Sequence, residues 1–137
     1  MNDETPDWVM DVLDVNCPSR DVFVDLADKW SLLLLVSLRF VGAQRFSELQ
    51  RSVGGISRAM LAQSLKSLER DGVVVRDVDG KVAPPRVVYD LTPLGEELAD
   101  ESRVLCDWSQ RRSDEVHAAR KAFDESRSAR DVAAQPA

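Results

Sequence analysis

Apolar positions recur at two different spacings along this chain, and the change of spacing divides it into segments. Trp8, Val9, Val12, Leu13 and Val15 keep a helical rhythm inside an acidic stretch, which predicts a short amphipathic helix within residues 1–16. Pro18 suits a first helical turn, and a helix over 19–27 would bury Val22, Phe23 and Leu26. The segment KWSLLLLVSLRF at 29–40 is apolar on nearly every side, the mark of a core helix. Trp30, Leu33 and Leu34 are its expected core residues, and Gly42 its exit. RFSELQRSVGGIS at 45–57 then predicts a short helix, opened by Arg45 or Ser47, with Phe46, Leu49 and Val53 pointing inward. Gly54-Gly55 closes it with a tight turn.

The next stretch, ISRAMLAQSLKSLERDG at 56–72, carries its own start and stop. Ser57 is a good N-cap because its hydroxyl can accept from the free amides of a first turn, and Gly72 suits the C-terminal end. At about 100° per residue, Leu61, Leu65 and Leu68 fall within roughly 60° of one another. Ala59, Gln63, Lys66 and Arg70 cluster on the opposite side. One face is for a core and the other is free.

The spacing then shifts to that of strands. Residues 73–78 are β-branched and short, RVVYDL at 86–91 forms a second strand, and Asp79-Gly80 marks the hairpin tip. Pro84-Pro85 belongs in the loop, since neither residue can donate to a ladder. Thr92-Pro93 opens a long helix expected to run from Leu94 to about Arg112, more weakly to about Ser126, with fraying beyond.

Composition narrows the function. The formal net charge is −6, but it is unevenly distributed. Residues 39–90 hold nine Lys or Arg against six Asp or Glu, a net of +3; the rest holds nine against eighteen, a net of −9. Charges more than about 8–10 Å away are largely screened at cellular salt, so a basic surface on an acidic body can still meet phosphates. No apolar run approaches a membrane span, and the acidic start MNDETPDW is unlike a secretory signal, so the cytoplasm is the expected location. One histidine and two cysteines exclude a multi-histidine or four-ligand zinc site, and no phosphate loop or nucleophile elbow is present. Neither an enzyme nor a cofactor or metal protein is expected.

Helix, helix, short turn, capped helix and hairpin, in that order, spell a winged helix-turn-helix: mainly α with a small β-hairpin wing. CPSRDVF at 17–23, DKWSLLLLVSL at 28–38, RFSELQRSVGGIS, MLAQSLKSLERDGVVVR at 60–76 and PPRVVYDLTPLGEEL at 84–98 resemble the HxlR-type winged helix-turn-helix transcriptional regulators. The likeness covers residues 17 to about 108. It implies a prokaryotic homodimer that binds pseudo-palindromic operators in double-stranded DNA, with terminal helices forming the dimer interface. Residues 1–16 then form an acidic extension, 17–112 the winged domain with its dimerisation helix, and 113–137 a helical extension and flexible tail.

Roles follow on that frame. Ser57, Arg58, Ala59 and Met60 open the expected recognition helix, where side chains reach base edges; Arg58 suits guanine and Gln63 adenine. Lys66 and Arg70 lie further along, at phosphate height, and Arg45 and Ser47 sit where a helix start favours a phosphate. Arg76, Lys81 and Arg86 equip the wing, diluted by Asp77 and Asp79 to a net of +1 over 76–86. Trp8, Val12, Leu105 and Trp108 are the expected dimer contacts. The bland reading of the basic residues is an ordinary solvated face. Repression by operator occlusion is the expected mode, and the rival is a winged module that has lost DNA and binds a protein through its acidic surface. The signal is left between a small-molecule effector and oxidant or electrophile stress at Cys17. A helix start lowers a thiol pKa, but Asp21 opposes this, and a small packing residue is the default reading of Cys17.

Overall fold

A computed structural model of the chain describes residues 4–81 and 83–134. Two compact units are present, Met1–Glu101 and Ser102–Ala137. The first contains helices α1 (Asp7–Leu13), α2 (Pro18–Leu26), α3 (Lys29–Phe40), α4 (Phe46–Ser52) and α5 (Arg58–Arg70). Strands β1 (Val74–Asp79) and β2 (Arg86–Leu91) follow, then helix α6 (Pro93–Glu101). The second unit is one helix, α7 (Arg103–Ala134). No helix among the described residues is long and apolar enough to cross a membrane.

The core of the first unit is the leucine side of three helices. Leu34, Leu35 and Leu38 of α3, Leu49 of α4, and Leu61, Leu65 and Leu68 of α5 are all buried. Val53 and Ile56 seal the turn between α4 and α5, and Trp30, Phe46 and Tyr89 pack against this cluster half-buried. Each end of α5 is closed as its residues predict. The Ser57 hydroxyl accepts from Met60 N–H at 3.1 Å, and Gly72 takes φ of 78° to let the chain leave.

The strands pair antiparallel from Val74↔Leu91 to Asp79↔Arg86. A third backbone segment joins them: Gln44 and Tyr89 exchange two N–H···O=C bonds, of 3.0 and 2.8 Å. The buried Gln44 side chain donates to Ser37 Oγ at 3.0 Å and to the Gly42 carbonyl at 3.1 Å, and the Ser37 and Ser52 hydroxyls lie 2.7 Å apart. This polar knot ties the end of α3, the end of α4 and the wing together.

Helix α6 is clamped to the same junction. Thr92 Oγ1 donates to the Gly72 carbonyl at 2.6 Å and accepts from Gly95 N–H at 3.1 Å. Gly95 is buried against Val73; a Cβ there would lie 2.0 Å from the Val73 carbonyl oxygen. Only glycine fits that approach.

Four expectations need correction. Val22 and Phe23 are exposed rather than buried, at 54% and 59%, because α2 lies on the outside and only Leu26 reaches the core. Leu33 is 46% exposed: consecutive leucines wrap around a helix, and the core covers only the side of Leu34, Leu35 and Leu38. The single helix expected from Leu94 is broken at Ser102 into α6 and α7, although no Gly or Pro marks the break. Finally, α7 continues to Ala134, where fraying was expected after about Ser126. Residues 127–134 hold three Ala and two Arg, strong helix formers, and earlier in the helix Arg112 pairs with Glu115 one turn on.

Candidate nucleic-acid interface

The outer face of α5 emerges as its periodicity predicts. Arg58, Ala59, Met60, Gln63, Lys66 and Arg70 are exposed, opposite the buried leucines. Arg58, in the first turn, lies over the Phe46 ring, with its guanidinium carbon 5.3 Å from the ring centroid. A planar cation held on an aromatic face keeps its outer edge free for hydrogen bonding, so Phe46 of α4 orients the first side chain of α5. Phe46 was legible from the sequence only as a packing residue.

Arg45 is the N-cap of α4 rather than its first helical residue. Its backbone N–H donates to Glu48 Oε1 at 3.3 Å, so a carboxylate already sits at this helix start. Ser47 is exposed on the first turn, and Arg51 at the last. On the wing, Arg76, Lys81 and Arg86 are all exposed, and Asp79 Oδ1 accepts from Lys81 N–H at 3.0 Å, folding the tip back on itself. Asp79 pairs across the ladder with Arg86.

The ion pairs sharpen this surface. Arg39–Asp100 and Arg112–Glu115 lie within salt-bridge distance. Arg39 is thereby removed from the basic set: its guanidinium holds Asp100 through Nε at 3.0 Å and Nη2 at 3.3 Å, and those hydrogen bonds, then the charge attraction, raise its pKa. Arg45, Arg51, Arg58, Lys66, Arg70, Arg76, Lys81 and Arg86 have no carboxylate so placed. Among the described residues, these eight cations of α4, α5 and the wing are thus free of carboxylate pairing. Gln63 also lines a groove together with Asp25 and Asp28.

The remaining expected positions are elsewhere. Cys17 is the N-cap of α2, half-buried, with Sγ 3.1 Å from Ser19 Oγ. Trp8 is 63% exposed and Val12 half-buried on α1, while Leu105 and Trp108 are exposed on α7.

A tri-helical core, a short turn into a capped helix with a free polar face, and a hairpin locked beside it define a winged helix-turn-helix protein. The chain belongs to the HxlR-like helix-turn-helix family, whose profile matches residues 25–117. It is 47% identical over 104 residues to the HTH-type transcriptional regulator YtfH of Escherichia coli K12, covering 76% of this chain and 81% of that protein. It is similar to the solved structure of ytfH from Salmonella typhimurium, with a TM-score of 0.68 and 46% identity over 77% of this chain and 93% of the other. The redox regulator HypR in its reduced form is also similar, with a TM-score of 0.65 and 30% identity over 74% and 98% of the two chains. The protein is thus a transcriptional regulator of the helix-turn-helix type, in a family of regulators rather than enzymes.

Proposed function

We propose that the protein binds double-stranded DNA as a homodimer, sets α5 into the major groove of each half-site, and represses transcription by occupying a pseudo-palindromic operator. The observation that carries this is the exposed α5 face, with Arg58 braced on Phe46 and no carboxylate paired to Arg58, Lys66 or Arg70. Arg58 and Gln63 serve as base readers, with Ser57, Ala59 and Met60 beside them at the helix entry. Lys66, Arg70, Arg45 and Ser47 serve as phosphate contacts, and Arg76, Lys81 and Arg86 place the wing along the backbone. One such module makes few phosphate contacts. Two of them, joined through the apolar groups of α1 and α7 (Trp8, Val12, Leu105 and Trp108), would span half-sites about 34–36 Å apart. In this reading residues 17–112 form the winged domain with its dimerisation helix, Trp8 and Val12 of the preceding extension add to the dimer contact, and the cytoplasm is the site of action.

A redox signal through Cys17 is the second reading. It is supported by the position of the thiol at a helix start, in contact with Ser19, and by the likeness to the redox regulator HypR.

The test is a gel shift on the DNA upstream of the protein's own gene across salt concentrations. Affinity should fall by orders of magnitude between about 50 and 200 mM salt. No shift at low salt on any genomic fragment would favour a winged module that binds a protein partner instead.

A further inference from the structure

A groove of about 380 Å³ opens between α2 and α6, and none of its lining residues is among those assigned to DNA. Its apolar lining is Val22 and Leu26 of α2, Val73 ahead of β1, and Leu94 and Leu98 of α6. Asp71, Glu97 and Glu101 complete it, and no Lys or Arg contributes. Among the described residues, neither ion pair involves any of these three carboxylates. Asp71 is also the C-cap of α5, where the last carbonyls add partial negative charge. The volume lies in the range of roughly 300–1,000 Å³ typical of small-molecule sites.

A mainly apolar lining that includes three carboxylate residues and no Lys or Arg favours one chemistry. A neutral body would forgo the attraction, and an anion of the same shape would face three like charges. We infer that this groove binds an organic cation with an apolar body, such as an arylalkyl amine or quaternary ammonium compound, and that this cation is the regulator's effector.

Its place in the fold explains how occupancy is felt. Val73 N–H bonds to the Leu68 carbonyl of α5 at 3.1 Å, and the Val73 carbonyl accepts from Thr92 N–H at 3.1 Å beneath Gly95 of α6. A ligand pressed on Val73 therefore bears on the joint between recognition helix, wing and α6. This coupling, unlike the binding itself, rests on the DNA-binding function proposed above.

Calorimetric titration of the full-length protein without DNA tests the site, using phenylbutyltrimethylammonium and, as its anionic counterpart, phenylpentanoate. The cation should bind roughly tenfold tighter or more. Glu97→Gln and Glu101→Gln, both on an exposed helix surface, should each weaken it about two- to fivefold. Leu94→Trp, which fills the groove from an exposed position, should abolish binding with the circular dichroism spectrum unchanged, and the cation should shift the methyl resonances of Val22 and Leu94. Equal affinity for the two probes, no binding of the cation, or undiminished binding by Leu94→Trp would overturn the site. Methyl shifts that follow protein dilution rather than the cation would make the groove a contact between copies of the chain, and also overturn it. If the cation binds but leaves operator affinity unchanged, the effector role falls and the site stands. If no DNA is bound at any salt, the proposed function fails while the calorimetry still decides the site.

Discussion

The guanidinium of Arg58 rests over the ring of Phe46, 5.3 Å from its centroid, so that the first side chain of the exposed helix is braced by the helix before it. A braced arginine has less freedom to lose on contacting a base. Phe46→Leu keeps the apolar packing but removes the ring face, and should weaken operator binding by about 0.5–1 kcal/mol. Arg58→Ala should cost about 1–3 kcal/mol. The two losses should not add, because each removes the same stacked unit; a double-mutant cycle by gel shift checks this.

Lys66 and Arg39 make a contrasting pair. Lys66 is exposed on α5 with no paired carboxylate, whereas Arg39 is already held by Asp100. Lys66→Ala should weaken binding to all sequences alike and lower the salt slope by about 1. Arg39→Ala should leave that slope unchanged, as measured by the same titrations over salt.

Gly95 is the position least tolerant of a methyl group. Its Cβ would stand 2.0 Å from the Val73 carbonyl oxygen, backbone that cannot turn aside. Gly95→Ala should destabilise the fold by about 3 kcal/mol or more. Thermal denaturation should show the midpoint falling by roughly 10 °C. An unchanged midpoint would mean that α6 does not sit on the wing junction.

Gln44 joins the wing to the helices through its side chain as well as its backbone. Gln44→Leu keeps the two backbone bonds to Tyr89 but leaves Gly42 and Ser37 without their donor. A loss of about 1–3 kcal/mol is expected in chemical denaturation. The wing's share of DNA affinity, read as the effect of Lys81→Ala, should shrink in the Gln44→Leu background.

What the sequence revealed and what it hid follow from how far each feature reaches along the chain. The seam of Leu61, Leu65 and Leu68, the Ser57 cap and the Gly72 exit are written within one helix, so periodicity alone exposes them. The free face with Gln63, Lys66 and Arg70 follows from the same wheel. Gly95 against Val73, Gln44 against Ser37 and Phe46 beneath Arg58 are contacts between elements, and no local pattern encodes them. The misjudged burial of Val22, Phe23 and Leu33 has the same origin: an apolar residue announces a wish to be covered, but a neighbouring element decides which ones are. The exposed Val22 in turn became a wall of the α2–α6 groove.

Base reading by the outward side of α5 can be tested by selection from randomised duplexes. Sequencing the DNA retained by the wild type, Arg58→Ala and Gln63→Ala gives a preference for every position of the site. A symmetric pair of half-sites about one helical turn apart is expected, with Arg58→Ala erasing preference at one position of each half and Gln63→Ala at another. Identical preferences in all three proteins would contradict this base reading.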